Sequence, residues 1–307
     1  IQAATTLNGN QIVQKIQKFE HDTTLKLNLK NFVEFHNIPL QLIYKRGGWK
    51  RLCQRAGKIK DFESVNEKHI VSAVANKWLS CSSESYFEFI LNLARRNFQF
   101  SIDDFNSVEK QMLLMLHYDI WQKANEFGSL ESSIREIGKN KIMVKEIIEV
   151  LELLVDRIDF KELDTNLPFQ QPLKVHARYT RDQILAAFSL SSFERKSSSR
   201  EGVAEVSDLN TELLFINLIK SEENFSPTTM YDDYAINETL FHWQSQNSAG
   251  PETPKGLSYI EHQKNQKRIL LFVREKSKDE YGITMGYVFV GEGQLREHYG
   301  AKPMNIK

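Results

Sequence analysis

The sequence predicts an α+β protein in two parts. Residues 1–165 form an α-helical bundle, and residues 166–307 form a smaller domain with a barrel-like sheet and flanking helices. Three observations predict this division. Up to about Phe160, apolar residues recur at three- and four-residue spacing, the period of a helix with one buried face. Beyond Leu167-Pro168-Phe169-Gln170-Gln171-Pro172, apolar residues come in short β-branched and aromatic runs separated by turn signals. A chain of 307 residues is also long enough for two separate cores.

The elements follow in order. Ile12, Ile16 and Phe19 share a helical face, as do Leu25, Leu29, Phe32 and Val33. Asn37-Ile38-Pro39 ends the second helix, and Pro39 suits the first turn of the next. Gly47-Gly48 interrupts the following segment before Trp49 restarts it. Val65 to Leu79 reads as a helix through Ile70, Ala73, Val74 and Trp78. Serines then cap helices over Tyr86 to Arg95, Val108 to Trp121 and a shorter stretch after Ser129. Ile142 to Ile158 is apolar on most sides and is expected at the centre of the bundle. After the proline linker, Thr180 caps a helix reaching Ser189, and the Ser-, Lys- and Arg-rich run Ser189 to Arg200 reads as a mobile loop. Strands are expected over Leu213 to Ile219, Thr239 to Gln246, Arg268 to Arg274 and Gly286 to Val290. Asn247 to Gly256, rich in proline and glycine, reads as a long turn, and Ser277 to Gly282 as a hairpin connection.

Lys and Arg balance Asp and Glu, giving a formal net charge of zero, which excludes a uniformly basic DNA-coating protein. Any nucleic-acid surface must be local. The two cysteines, Cys53 and Cys81, make no disulfide framework or zinc ribbon and read as free thiols of a cytoplasmic protein. No run approaches the ~20 apolar residues of a membrane span, and no signal peptide is recognisable. The start at Ile1 and the ending MNIK suggest a fragment of a longer protein, and the fragment itself is expected to be monomeric.

The densest chemistry lies in FSPTTMYDDYAINETLFHWQSQ, from Phe225 to Gln246. Tyr231, Tyr234, Phe241 and Trp243 surround the adjacent carboxylates Asp232 and Asp233. Aromatic faces stack on a flat polar ring, and a carboxylate accepts hydrogen bonds from an exocyclic amine. On a strand, Phe241 and Trp243 share one face while His242 and Gln244 take the other. The most basic segment runs through Lys45, Arg46, Lys50, Arg51 and Arg55, where cations and a Gly-Gly bend suit phosphate contacts. A second basic set, His176, Arg178, Arg181, Arg195, Lys196 and Arg200, frames the loop before the first strands, which reads either as a segment inserting next to a flipped base or as a solvated surface loop. There is no G-x-x-x-x-G-K-[ST] phosphate loop, so no catalytic residue, metal or cofactor is assigned to this part of the chain. His242, His262 and His298 match no local metal motif, and His262-Gln263-Lys264 is only a partial match to a phospholipase-D-type nuclease.

The run at Phe225–Gln246 resembles the C-terminal region behind the motor of bacterial superfamily 2 helicases. In particular it resembles the modification-dependent (type IV) restriction enzymes of the SauUSI kind. The resemblance extends through VHARYTRDQILAAF (Val175 to Phe188), REGV (Arg200 to Val203), LNTELLFINLIKSEENFSPTTMYDDYA (Leu209 to Ala235), ILLFVREK (Ile269 to Lys276) and YVFVGEGQLREHYGAKPMNIK (Tyr287 to Lys307). KRGGWKRLCQRAGK (Lys45 to Lys58) resembles, more loosely, the helical segment that couples motor to reader. The resemblance implies an SRA/PUA-like barrel that flips and reads 5-methylcytosine or 5-hydroxymethylcytosine in duplex DNA. It also implies a helicase motor and a nuclease elsewhere on the same polypeptide, with ATP and Mg serving that motor. Two alternatives stand beside this reading. One is a scaffold that docks proteins without reading bases. The other is a metal-dependent nuclease built on the C-terminal histidines and carboxylates.

Overall fold

The structure is a computed structural model and describes residues 7–219 and 233–307. Contacts divide the described residues into two units. The first takes Ile1–Glu162, Gln170–Leu173 and Tyr179–Ser197; the second takes Leu163–Phe169, Lys174–Arg178 and Ser198–Lys307. The helix after the proline linker therefore belongs to the helical unit.

The first unit contains α1 (Gly9–Asp22), α2 (Leu29–His36), α3 (Leu40–Lys45), α4 (Trp49–Arg55), α5 (Glu67–Asn76), α6 (Glu84–Arg95), α7 (Ser107–Ile120), α8 (Leu130–Ile137), α9 (Lys141–Asp156) and α10 (Arg181–Ala187). Polar side chains start many of them: Asn8, Asn106 and Thr180 each close a reciprocal capping box. Asn37 ends α2 in the left-handed conformation at φ 49°, just ahead of Pro39. As its all-round apolar pattern implies, α9 lies against α2, α4, α5 and α6 and buries Met143, Ile147, Val150 and Leu151. The helix expected over Val65 to Leu79 is shorter. It stops at Asn76, and Trp78–Ser80 turns as a 3₁₀ helix with the Trp78 ring fully buried.

Two buried carboxylates hold this unit together. Asp119, on α7, accepts hydrogen bonds from Trp78 Nε1 at 2.9 Å, Tyr86 Oη at 2.9 Å and Gln183 Nε2 at 3.0 Å. Those donors come from the 3₁₀ turn, α6 and α10, so one side chain ties together segments about a hundred residues apart. Glu146, on α9, accepts the backbone N–H groups of Trp49 and Lys50, each at 2.7 Å. It thus satisfies orphan donors at the positive end of α4. Gly48 precedes that end at φ +88°; a Cβ there would lie 2.9 Å from Val71 and 3.1 Å from the Glu146 carboxylate. Glycine is required by both the backbone conformation and the close approach.

The second unit contains β1 (Arg178–Tyr179, whose Tyr179 is counted with the first unit), β2 (Val203–Val206), β3 (Thr211–Asn217), β4 (Tyr234–Ala235), β5 (Phe241–Gln244), β6 (Arg268–Arg274), β7 (Tyr287–Gly293), β8 (His298–Tyr299) and β9 (Asn305–Ile306). Helix α11 (Pro254–Ile260) lies between β5 and β6. The strands make a five-stranded sheet in the order β1-β7-β6-β3-β2 and a four-stranded sheet in the order β4-β5-β9-β8. In the larger sheet β3 and β6 run parallel, β2 pairs antiparallel with β3 and β7 antiparallel with β6, and the β6/β7 ladder shifts register between Leu271 and Phe272. Every residue of β3 is buried, as expected of a strand covered on both faces.

The fold is thus α+β, but no closed barrel forms among the described residues. The strands divide between two sheets with separate edges, and the parallel β3/β6 pair replaces the hairpin succession of a simple barrel. The long turn expected over Asn247 to Gly256 is present as far as Thr253, and from Pro254 the chain forms α11. Thr253 caps that helix through the Gly256 N–H and Pro254 opens it, a proline placement that favours a helix start as much as a turn.

Burial pushes the Asp119 carboxyl up to about 6, against the opposing hydrogen bonds of Gln183, Tyr86 and Trp78. Its ordinary value is 3.8, so between the two values the folded chain holds a proton that the unfolded chain has released. This contribution is fully present below the ordinary value and is lost as pH rises through the folded one. Asp119→Asn removes it. From about pH 5 to about pH 7 the unfolding free energy of the parent should fall by about 1 kcal/mol relative to the variant. Denaturant melts at the two pH values check this, and a difference that does not change with pH contradicts it.

Candidate functional site

Strand alternation on β5 determines the site. Phe241 and Trp243 point to the interior of the second unit, where they line a cavity of about 780 Å³. Its apolar wall is completed by Leu214 of β3, Ile269, Leu271 and Val273 of β6, and Ile306 of β9. Tyr259 of α11 meets Trp243 edge-to-face, with ring centroids 5.2 Å apart and planes at 87°. The Tyr259 hydroxyl donates to Gln246 Oε1 at 3.0 Å, which fixes that ring in the wall. Asn237, Glu238, Gln294 and Arg296 add polar groups to the lining. A concave apolar space with a few polar groups has the general form of a ligand pocket.

The residues expected to cluster separate into different settings. Tyr231 and Asp232 lie outside the described residues. Asp233 is buried, and its Oδ1 accepts the Gln244 N–H at 2.9 Å, so it anchors β5. Tyr234 lies on the opposite face of the sheet from Phe241 and Trp243. It pairs across the strands with His242 and stacks on that ring, with centroids 4.7 Å apart and planes 21° apart. The alternation expected within β5 is present; Tyr234 sits on the His242 side because of the β4/β5 register.

In the basic run, Lys50 pairs with Glu149, and Arg51 donates from Nε to Glu67 at 2.8 Å. Arg55 donates from Nη2 to Asn10 at 2.8 Å. The N–H groups beyond the Gly-Gly bend are taken by Glu146, as described above, so the bend presents them to an internal carboxylate. Lys45 and Arg46 are exposed and make no ion pair among the described residues. In the second basic set, Lys196 pairs with Asp182 at 3.2 Å, and Asp182 also holds Lys77 at 2.6 Å. Arg195 and Arg200 are exposed, while Arg178 and Arg181 are half-buried. The loop expected to be mobile is tied down as far as Ser197 within the helical unit. Ser191 is buried and accepts the Ser197 N–H, the Phe193 carbonyl accepts the Asn125 N–H, and the Ser192 carbonyl accepts the Tyr118 hydroxyl.

His262 is buried; its Nδ1 donates to the Lys267 carbonyl at 3.1 Å and its Nε2 accepts the Leu295 N–H at 3.0 Å. Both ring nitrogens therefore bond to the backbone. Among the described residues no group of three or more His, Cys, Asp or Glu side chains is arranged to hold a metal ion. No helix is long and apolar enough to cross a membrane, among the described residues.

Sequence reasoning missed Tyr259, whose helix begins at the end of the expected turn, and the ion cluster around Glu212. That carboxylate is fully buried on β3 and holds Lys255 at 2.6 Å and Lys267 at 2.9 Å, while Glu205 of β2 binds the same two lysines. A charge opening an apolar strand, Thr211-Glu212-Leu213, is the local signal that something opposite must neutralise it.

Residues 173–306 match a family described as a domain of unknown function (DUF3427). No curated protein matches the chain.

The ion pairs separate two classes of basic residue. Arg51→Ala leaves the mostly buried Glu67 without its guanidinium and should lower unfolding free energy by about 2 kcal/mol. The double variant Lys45→Ala/Arg46→Ala should stay within about 0.5 kcal/mol of the parent. Urea unfolding followed by helical circular dichroism measures both, and equal effects would contradict the distinction.

Proposed function

We propose that the second unit is the target-recognition part of a larger helicase-associated protein and that it captures an extruded, 5-modified cytosine of duplex DNA. The observation that carries this reading is the cavity under Phe241 and Trp243, with aromatic and aliphatic walls and a few polar groups. A base leaving a duplex gives up a few kcal/mol of stacking and pairing, which a pocket must offset. Aromatic faces return about 1–3 kcal/mol per stacked base. An apolar wall such as that of Leu271, Val273 and Ile306 distinguishes a 5-methyl group from hydrogen, a gain of about 0.8 kcal/mol.

The N4 amine needs an acceptor. Of the two carboxylates among the described lining residues, Glu292 is paired with Arg268 at 3.0 Å. Glu238 is exposed and stands as the acceptor in this reading, in place of Asp233 with its bond to β5. Two sheets across a shared cavity would serve the role of the SRA/PUA-like barrel that the resemblance implies. Binding here needs no metal or cofactor in this part of the chain; ATP and Mg belong to the motor proposed elsewhere on the polypeptide. In this reading Lys45, Arg46, Arg195 and Arg200 supply sequence-independent phosphate contacts, and the protein serves restriction of modified phage DNA in the cytoplasm.

Titration of the chain with matched duplexes containing cytosine, 5-methylcytosine or 5-hydroxymethylcytosine tests the reading. The parent should favour a modified duplex by roughly fourfold, the equivalent of one buried methyl. Phe241→Ala should remove that preference without changing the melting temperature by more than a few degrees. A parent with no preference among the three duplexes overturns base readout and leaves the protein-docking scaffold as the better account.

A further inference from the structure

We infer that the face of the four-stranded sheet turned away from the cavity binds single-stranded DNA, stacking bases on Tyr234 and Tyr299. The two rings are 49% and 52% exposed, although each sits on a paired strand. Register places them on one face: Tyr234 opposite His242 on β5, and Tyr299 opposite Asn305 on β9, which is itself opposite Gln244 on β5. Contacts confirm the common face. Tyr234 stacks on His242, and both His242 Nε2 and Gln244 Nε2 reach Asn305 Oδ1, at 3.1 and 3.0 Å. Lys307 lies over the Tyr299 ring, 5.8 Å from its centroid, and its ammonium pairs with Glu297 at 2.5 Å.

This composition fits bases and phosphates better than an apolar partner. Half-exposed rings supply stacking faces, amide heads lie between them, and an ammonium lies over the Tyr299 ring. Between residues 295 and 307 the chain carries Arg296, Lys302 and Lys307 against the single carboxylate Glu297, a local excess of positive charge on a chain with no net charge. Lys307 and Ala235, the neighbour of Tyr234, also line the cavity. A strand lying on the platform can therefore continue to the pocket edge. The inference goes beyond the capture of one modified base and does not require it.

The test is fluorescence anisotropy of a labelled oligothymidine of about twelve nucleotides with the full chain. The parent should bind it. Tyr234→Ala and Tyr299→Ala should each weaken binding at least about fivefold, the equivalent of one lost stacking contact. Tyr234→Phe and Tyr299→Phe, which keep the ring, should stay within about twofold. Lys302→Glu, at an exposed position, gives a second test that does not depend on the rings: it should weaken binding and reduce its salt dependence. Failure of the parent to bind, or alanine variants and Lys302→Glu that bind like the parent, overturns the inference. Tighter binding of an oligouridine RNA of equal length overturns the assignment to DNA. Retention of modified-duplex preference in the two alanine variants confirms a surface separate from the cavity; its loss in both shows a single shared site and overturns that separation.

Discussion

Seven consecutive residue pairs join β3 to β6 in parallel, from Thr211 with Arg268 to Asn217 with Arg274. A parallel pair cannot be closed by a tight turn, so the chain must leave the sheet after Asn217 and return at its starting end. On that excursion it forms β4, β5 and α11. Phe241, Trp243 and Tyr259 are thereby held against the face presented by Leu214, Ile269 and Leu271. The cavity is the space between an excursion and the sheet it departs from. Its shape therefore depends on β3 remaining in register, and the complete burial of that strand provides the required stability.

How much of this was legible in the sequence depended on how local the deciding interaction was. The apolar period of α9 announced a central helix, and β6 occupies the very residues its β-branched and aromatic run marked out. Capping residues such as Thr180 declared helix starts, because a cap and its N–H are three residues apart. The alternation of Phe241 and Trp243 was also legible, since one strand decides it. The face of Tyr234 was not, because it depends on which residue of β5 lies opposite. The partners within the basic run were not legible for the same reason: Glu149, which pairs with Lys50, lies 99 residues away in sequence. The expected barrel does not form among the described residues, because strand spacing does not reveal which strands pair.

The buried charges follow a consistent pattern. Asp119, Glu146 and Glu212 are removed from water, and each is surrounded by donors from distant segments. Such groups are weak sources of net stability, because desolvation cancels most of the attraction. They are exacting about geometry, however: a misplaced α4 or α10 leaves a carboxylate without partners at a cost of a few kcal/mol. Apolar packing drives the folding of each unit, and the carboxylates discriminate among the arrangements packing would allow within it.

One consequence follows from the place of α10. The segment 173–306 that matches a family includes Tyr179–Ser197, which belongs to the helical unit and carries Gln183, a donor to Asp119. What is inherited as one stretch of sequence is thus divided between two bodies of structure. A recombination joint placed at Leu173 would not exchange a self-contained module. It would transplant a helix adapted to the groove beside α7 into a host whose groove evolved with another occupant. Lineages that swap this region must therefore carry the helical partner along or rebuild the surroundings of Asp119, a constraint on how such chains diversify.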